Sequence, residues 1–320
     1  MRILLATSSF LILFLLSCSK ERHHAPDLSG IASDAEIVRF EQLFYESSAD
    51  DLPVLKTQFP YLFPEGNPDS VWVNKIEDED EKYLYAETQK QYADFSEQKS
   101  RLEALFNHMK YYFPTFKEPR VITMVTQVDY NNKVLYADSL LFIGLDLYLG
   151  EEHEVYADFP EYVKQNYHKD HLIVDVADAM VRPLLRPSDD NSFVSRMVQE
   201  GKRLEILSLL LPDLSKEEII GYSTEQWSWA EISESNIWKY FVQNELLYST
   251  DPELSRRFIE EAPFSKFYLE ADRDSPGRIG SWFGWRIADA YWKNEDPGMR
   301  ELITIDNEEL FKRSKYKPAK

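Results

Sequence analysis

Hydrophobic residues near the N-terminal end of the chain recur at helical spacing. In the stretch EIVRFEQLFYESS, residues 36–48, apolar positions three and four apart share one helical face. These positions are Ile37, Phe40, Leu43 and Phe44. A long helix is predicted over residues 87–112, ending before Pro114. The region from Ala35 to Asn107 is therefore predicted to be helical, apart from the proline-rich stretch 50–70, which is expected to form a loop with short turns.

The pattern changes after residue 118. The stretch PRVITMVTQVDYNNKVLYADSLLFIGLDLYLG, residues 119–150, is rich in β-branched and aromatic residues. Asn131-Asn132 and Asp138-Ser139 are typical of turns between strands. This stretch is predicted to form two or three antiparallel strands.

Helical patterns return after Gly150, and no internal repeat interrupts them. The predicted helices cover residues 172–185, 192–210, 215–221, 224–247, 252–261 and 278–293. Ser223 or Thr224 is expected to cap the fourth of these, after a helix stop at Gly221. The pattern predicts an α+β fold, mainly helical with a small mixed or antiparallel sheet, in one domain over residues 34–320.

The first twenty residues, MRILLATSSFLILFLLSCSK, combine a basic Arg2 with a short apolar stretch ending at Leu16. This length is typical of an export signal rather than a membrane span. The sequence Leu-Leu-Ser-Cys at 15–18 resembles a bacterial lipobox, and Cys18 is the only cysteine in the chain. We predict a signal peptide over residues 1–17, then a lipidated Cys18 and a polar tether over 18–33, with an ordinary signal peptide as the alternative.

Composition and charge narrow the possible partners. The 320-residue chain is 43% hydrophobic and 14% aromatic, as expected of a folded protein. Its formal net charge of -20 would repel DNA and RNA, so nucleic acid is not an expected partner. The acidity is typical of a well-hydrated surface, and the alternative is an acidic groove for a basic or divalent ligand.

Several longer motifs resemble a known family. They are VRFEQLF, LLFIGLDLYLG, MVQEGKRLEILSLLLPD, IIGYSTEQWSW and IGSWFGWRIADAYWKN. Together with the lipobox, they resemble GldB, the gliding-motility-associated lipoprotein family of Bacteroidetes, over essentially the whole chain. The resemblance implies a lipid-anchored protein of the cell envelope, at the outer membrane, whose partners are the membrane and other gliding or envelope proteins. It implies no biochemical activity.

The second half resembles, more distantly, metallopeptidases of the zincin (thermolysin) type. In those proteins an edge strand precedes a helix with His-Glu-x-x-His, and a later helix carries Glu-Gly, whose Glu is the third zinc ligand. Here the strand would be LLFIGLDLYLG, the first helix HLIVDVADAMVRPLL, and the later helix SFVSRMVQEGKRLEI with Glu200-Gly201 at the ligand position. The resemblance implies a degenerate zincin-like architecture.

The histidine pair of such a site is missing. A catalytic zinc needs three protein ligands and an open position for water. The six histidines are His23, His24, His108, His153, His168 and His171, and none lies four residues from another. HEVYA at 153–157 begins like the motif but ends in alanine, and we interpret it as a coincidence.

Three alignments with the zincin motif could place metal ligands in this stretch of the chain. A frame with Val174 and Asp178 at the histidine positions keeps Asp175 where the base would lie but has an aliphatic ligand. A frame starting at Asp175 makes residue 179, an alanine, the second ligand. A frame with His171, Asp175 and Glu200 as ligands places residue 172, a leucine, at the base position. No frame has both metal and base, so no catalytic residue and no cofactor are predicted.

We predict a degenerate cleft that serves as a non-catalytic binding or scaffolding module. Its candidate residues are His171, Asp175, Asp178, Glu200, Tyr222 and Glu225. Asp175, Asp178 and Glu200 are interpreted as remnants of an ancestral metal site. Their carboxylates would now form ion pairs or hydrogen bonds with Arg182, Arg186 or Lys202. The alternatives are a divalent cation held by these carboxylates, a metal-dependent hydrolase using His171, Asp175 and Glu200, and a purely structural lipoprotein.

Glycines and tryptophans also recur along the stretch 278–293. Gly280 and Gly284, with Trp282 and Trp285, predict close packing of helices. The alternative is an aromatic surface that binds envelope polysaccharide.

Overall fold

The computed structural model describes residues 26–137 and 139–319. The chain first forms strand β1 (Ile37–Arg39) and then helix α1 (Phe40–Tyr45). The prediction of a helix from residue 36 was therefore wrong at its start. The helical spacing is real, but residues 37–39 pair with a strand more than eighty residues later, and this tertiary pairing overrides the local pattern.

The proline-rich stretch contains more helix than predicted. Helix α2 (Leu52–Gln58) holds Pro53 in its first turn, where proline is tolerated, and α3 (Asp69–Glu77) begins directly after Pro68. The single helix predicted over 87–112 is two helices, α4 (Glu79–Tyr92) and α5 (Ser96–Tyr112). Residue 112 ends the second one, as predicted from Pro114.

The sheet is mixed. Its other strands are β2 (Arg120–Met124), β3 (Val134–Ala137) and β4 (Leu140–Gly144), in the order β1-β2-β4-β3. β3 pairs antiparallel with β4, as predicted, although residue 138 between them lies outside the described residues. The prediction of antiparallel pairing was wrong for β2, which runs parallel to both β1 and β4.

Alternate residues of the sheet enter two separate hydrophobic clusters. Ile122 and Val38 face an aromatic cluster with Phe40 and Phe59 from the N-terminal helices. On the opposite face, Val121 and its neighbours in β4 join the larger core formed with the C-terminal helices. The sheet is thus a middle layer, because its side chains alternate between the two faces with a period of two.

The C-terminal half is helical, as predicted. Its helices are α6 (Glu161–Lys164), α7 (Leu172–Val181), α8 (Phe193–Leu210), α9 (Lys216–Ile220), α10 (Thr224–Gln243), α11 (Glu253–Phe258), α12 (Ile279–Glu295), α13 (Met299–Thr304) and α14 (Asn307–Ser314). Ser223 caps α10 through a capping box with Gln226, and Gly221 ends α9 with φ of 71°. α6, α13 and α14 were not predicted.

Helices α8 and α12 cross with their backbones in contact. A Cβ atom at Gly284 would lie 1.7 Å from the carbonyl oxygen of Met197, and one at Gly201 would lie 1.9 Å from the carbonyl oxygen of Gly284. Trp282 and Trp285 are 0% and 2% exposed, so they pack in the core and cannot form a surface for stacking sugars. The interpretation of these residues as helix packing is confirmed.

Among the described residues, no helix combines the length and apolarity needed to cross a membrane. The predicted signal peptide and Cys18 lie outside the part of the chain that the structure describes.

Candidate functional site

A cavity of about 340 Å³ lies beside α7. It is bordered by the loop before β3, the segment around α6, the ends of α9 and α11, and the residues just before α12. Its charged lining residues are Lys133, Asp175, Asp178, Arg182, Arg203, Glu261 and Arg278, and its other lining residues include His171, Tyr222 and three further tyrosines. Four of the predicted cleft residues, His171, Asp175, Asp178 and Tyr222, therefore share one cavity.

His171 and Asp175 are neighbours on one face, where α7 begins. The ring Nε2 of His171 lies 3.8 Å from Oδ1 of Asp175, as expected for positions four apart in a helix. His171 is only 8% exposed, and burial lowers its pKa to about 4 despite the opposing charge of Asp175. The imidazole is therefore neutral near pH 7.

Asp175 is held by partners that no local pattern connects to it. Lys133 Nζ lies 2.8 Å from its Oδ2, and the buried Tyr148 hydroxyl donates to the same oxygen at 2.8 Å. Burial alone would raise the pKa of Asp175, but Lys133, His171 and the Tyr148 hydrogen bond outweigh burial and lower it. The side chain is an ionised, occupied carboxylate.

Asp178 and Glu200 share one guanidinium. Arg203 donates from Nη1 to Asp178 Oδ1 at 2.6 Å and from Nε to Glu200 Oε2 at 2.9 Å. Arg182 donates to the second oxygen of Asp178 at 2.6 Å. The pKa of Asp178, which burial alone would raise, is lowered by these two arginines. Glu200 itself does not line the cavity.

The prediction that these carboxylates form ion pairs is confirmed, but two of the three predicted partners are wrong. Arg182 is a partner as predicted. Lys202 is not, because its buried ammonium group donates to the carbonyl of Ile305 at 2.8 Å on the far side of α8. Arg186 forms no ion pair in the described part of the chain. Arg203 was missed, although its spacing of three residues from Glu200 on a helix was a usable signal.

Tyr222 and Glu225 differ in position. The Tyr222 hydroxyl lies in the cavity wall and donates to the carbonyl of Gly277 at 2.5 Å. Glu225 is exposed at the start of α10, accepts from the Ser223 hydroxyl at 2.8 Å and does not line the cavity. Its contacts are those of a residue in the first turn of a helix.

Lys133 reaches the cavity from a distorted loop. Gln127 and Val128 have φ of 59° and 58°, a backbone region that is rare for a β-branched residue. The buried carboxylate of Asp146 stabilises this shape by accepting from the backbone N–H of Thr126 at 2.9 Å and of Val128 at 2.7 Å. Lys133 was not predicted as a site residue. The loop that positions it is shaped by Asp146, which follows β4 and is distant in the sequence.

The donor set does not suit a metal. Among residues 26–137 and 139–319, no group of three or more His, Cys, Asp or Glu side chains is placed to hold an ion. Of the predicted set, His171 and Asp175 are adjacent, but Lys133 and Tyr148 occupy one oxygen of Asp175, and Arg203 occupies Glu200. Cations of the protein itself already compensate these carboxylates.

Comparison with known proteins identifies one family. A family model described as gliding motility protein GldB matches residues 21–318. No curated protein and no solved structure matches the chain. The zincin-like architecture therefore stays a prediction.

Proposed function

Because the chain belongs to the GldB family of gliding motility proteins, we propose that it is a lipid-anchored protein of the cell envelope whose cavity binds a ligand without cleaving it. The anchor would be Cys18, and the membrane would be the outer membrane. The cavity beside α7 would hold part of a neighbouring envelope component. The protein would act as a binding or scaffolding module of the gliding machinery.

The observation that carries this proposal is the guanidinium of Arg203 between Asp178 and Glu200. When Val174 and Asp178 are aligned with the two histidines of His-Glu-x-x-His, Asp178 and Glu200 occupy positions of metal ligands. A fixed organic cation between them neutralises the charge that a metal would otherwise neutralise. Arg203 is 8% exposed and its pKa is raised by both carboxylates, so it keeps its charge at any physiological pH.

The acid–base groups also favour binding over catalysis. A general base works best with a pKa near the working pH. The pKa of Asp175 is lowered below its ordinary value, and that of His171 is about 4, so both are weak bases near pH 7. The ionised carboxylate of Asp175 can still accept a hydrogen bond from a ligand, and the neutral imidazole of His171 can accept one or donate one.

A motility assay tests the binding role. Asn131 and Asn132 are adjacent and exposed, but only Asn131 lines the cavity. In cells that lack the native protein, Asn131→Trp should block the cavity mouth and abolish gliding while the melting temperature of the purified protein is kept. Asn132→Trp is the matched control and should support gliding. Normal gliding with both variants would favour a purely structural lipoprotein.

The second candidate, a metal-dependent hydrolase, rests on the adjacency of His171 and Asp175. Residues 19–320, purified without chelator or histidine tag, should contain less than stoichiometric transition metal by elemental mass spectrometry and should not cleave peptides. Metal near one equivalent that disappears in Asp175→Ala/Glu200→Ala, together with lost peptide cleavage, would replace our proposal by this one.

A further inference from the structure

We propose that the cavity binds the C-terminal carboxylate of a peptide on the guanidinium of Arg278. This inference rests on the proposed binding role and names the class of ligand. Of its four cationic lining residues, Lys133 is paired with Asp175, and Arg182 and Arg203 are paired with Asp178 or Glu200.

Arg278 is the exception. In the described part of the chain it makes no ion pair with a carboxylate, and one of its N–H groups donates to the carbonyl of Ile220. Its guanidinium lies 6.0 Å from the ring centre of Tyr222. Arg278 and His171 both line the cavity, so the guanidinium and the imidazole border the same space. The cavity therefore contains a guanidinium with spare donors.

The backbone holds this side chain in place at a cost. Arg278 has φ of 57°, in the left-handed region that residues other than glycine rarely adopt. The preceding carbonyl, of Gly277, accepts from Tyr222, and the following N–H, of Ile279, donates to Ser265 Oγ at 3.2 Å. Strained residues that their surroundings fix in this way are concentrated at ligand sites.

The charge balance suits an anion with one negative charge. A protein of net charge -20 repels anions in general, but within this cavity the guanidinium of Arg278 has no salt-bridge partner among the described residues. Glu261 lines the same cavity, so a doubly charged phosphate would meet more repulsion than a carboxylate. A planar guanidinium also matches a carboxylate with two parallel hydrogen bonds.

The rest of the lining suits a peptide. Asn131 and Tyr162 can form hydrogen bonds with backbone amides, while Val174, Ile219 and Ile220 provide an apolar wall for a side chain. Four tyrosines line the cavity and can stack on a sugar ring, so a sugar that carries a carboxylate is the alternative ligand to be excluded. A volume of about 340 Å³ is at the small end of ligand pockets and fits a chain end better than a long segment.

The test uses matched peptide probes. Acetyl-Ala-Ala-X peptides, with X as Ala, Val, Leu or Phe, are titrated as free acids and as C-terminal amides into residues 19–320 by calorimetry. At least one free acid should bind, and its amide should bind about tenfold more weakly or worse. Equal binding of acid and amide, or no binding by any free acid, would overturn the inference.

Three variants test whether Arg278 is the residue that binds the carboxylate. Arg278→Gln should lose about tenfold or more in affinity for the free acid, whereas Arg278→Lys, which keeps the charge, should lose less. Arg273→Gln removes an exposed arginine outside the cavity and should bind like the wild type. Unchanged affinity in a folded Arg278→Gln would refute the role of Arg278. If Arg278→Gln does not fold, the comparison of Arg278→Lys with Arg273→Gln decides.

Two further outcomes distinguish the failure of this inference from the failure of the proposed binding role. A uronic acid trisaccharide carries the same carboxylate on a sugar. Binding of the trisaccharide in place of the peptides would overturn the peptide assignment. If Asn131→Trp abolishes gliding but no peptide acid binds, the binding role stands and this inference fails.

Discussion

Arg203 is the residue on which the ion pairs beside the cavity depend. It joins Asp178 on α7 to Glu200 on α8 and is almost fully buried. Removing one partner of a buried ion pair leaves uncompensated charge, which costs more than the pair contributes when it is intact. Removing the charge of Arg203 alone should therefore destabilise the fold more than removing the charges of Arg203, Asp178 and Glu200 together.

The first prediction follows from this asymmetry. Arg203→Met should lower the free energy of unfolding by about 3 kcal/mol, because Asp178 and Glu200 lose their shared cation. Adding Asp178→Asn and Glu200→Gln should restore part of that loss. The free energy of unfolding of each variant is measured by urea denaturation, with circular dichroism as the signal. Arg300→Met, at an exposed position, is the control and should change stability by less than about 0.5 kcal/mol. An equal loss in both single variants would contradict the prediction.

Glu205 is a buried acid outside the cavity. Its carboxylate accepts from Trp285 Nε1 at 2.9 Å and is 3% exposed. Burial, together with the nearby Asp289, raises its pKa to about 7, compared with 4.5 for an ordinary glutamate. Between these pH values the folded state binds more protons than the unfolded state, so stability falls as pH rises.

The second prediction tests this linkage. Relative to wild type, Glu205→Gln should gain on the order of 3 kcal/mol in unfolding free energy between pH 4 and pH 8. His171 acts with the opposite sign, because its folded pKa is about 4 and stability is lost as pH falls below 6.5. Comparing the two proteins at each pH cancels the His171 contribution. Parallel pH profiles would show that Glu205 does not titrate differently on folding.

At the scale of elements, the crossing of α8 and α12 organises the C-terminal half. Gly201 and Gly284 let the two backbones meet, and α14 packs against both helices. The Glu-Gly pair at 200–201 therefore has a structural explanation: Gly201 serves the helix crossing, and Glu200 serves the ion pair with Arg203.

The third prediction concerns this crossing. Gly284→Ala should destabilise the protein by about 3 kcal/mol or more, because the added methyl group would overlap backbone atoms that cannot rotate away. Gly298→Ala is a matched control, since Gly298 has φ of -74° and a Cβ there meets nothing within 4 Å. Thermal unfolding of both variants measures the difference. Equal melting temperatures would refute the close approach.

At the scale of the whole molecule, the proposed lipid anchor would have to act against the negative charge of the chain. Acyl chains on Cys18 would hold a chain whose full sequence has net charge -20 at an anionic surface that repels it. A polar tether over residues 18–33 would let the globule stay away from that surface while remaining attached.

The fourth prediction tests the anchor. In cells, Cys18→Ala should move the protein from the detergent phase to the aqueous phase in a Triton X-114 partition, because no acyl chain can be attached. Ser17→Ala keeps a small residue before the cysteine and should leave partitioning unchanged. Immunoblotting of the two phases is the readout. Detergent-phase recovery of Cys18→Ala would show that another segment anchors the protein.

The sequence by itself determined the features that depend on neighbouring residues. Helix caps such as Ser223 and the stop at Gly221 are local hydrogen-bonding choices, and they appear where they were predicted. The helical pattern after residue 172 and the family resemblance were also readable, because apolar periodicity and motifs are properties of the chain. The six candidate cleft residues were predicted from the zincin resemblance, and the structure places four of them around one cavity.

Only the tertiary structure decided what depends on distant residues. Residues 37–39 became a strand because they pair with β2, although their spacing suits a helix. Asp175 obtained Lys133 and Tyr148 as partners across tens of residues, and Arg278 reached the cavity from before α12. Burial and ion pairing depend on which side chains are brought together in space, and a single sequence does not state those distances.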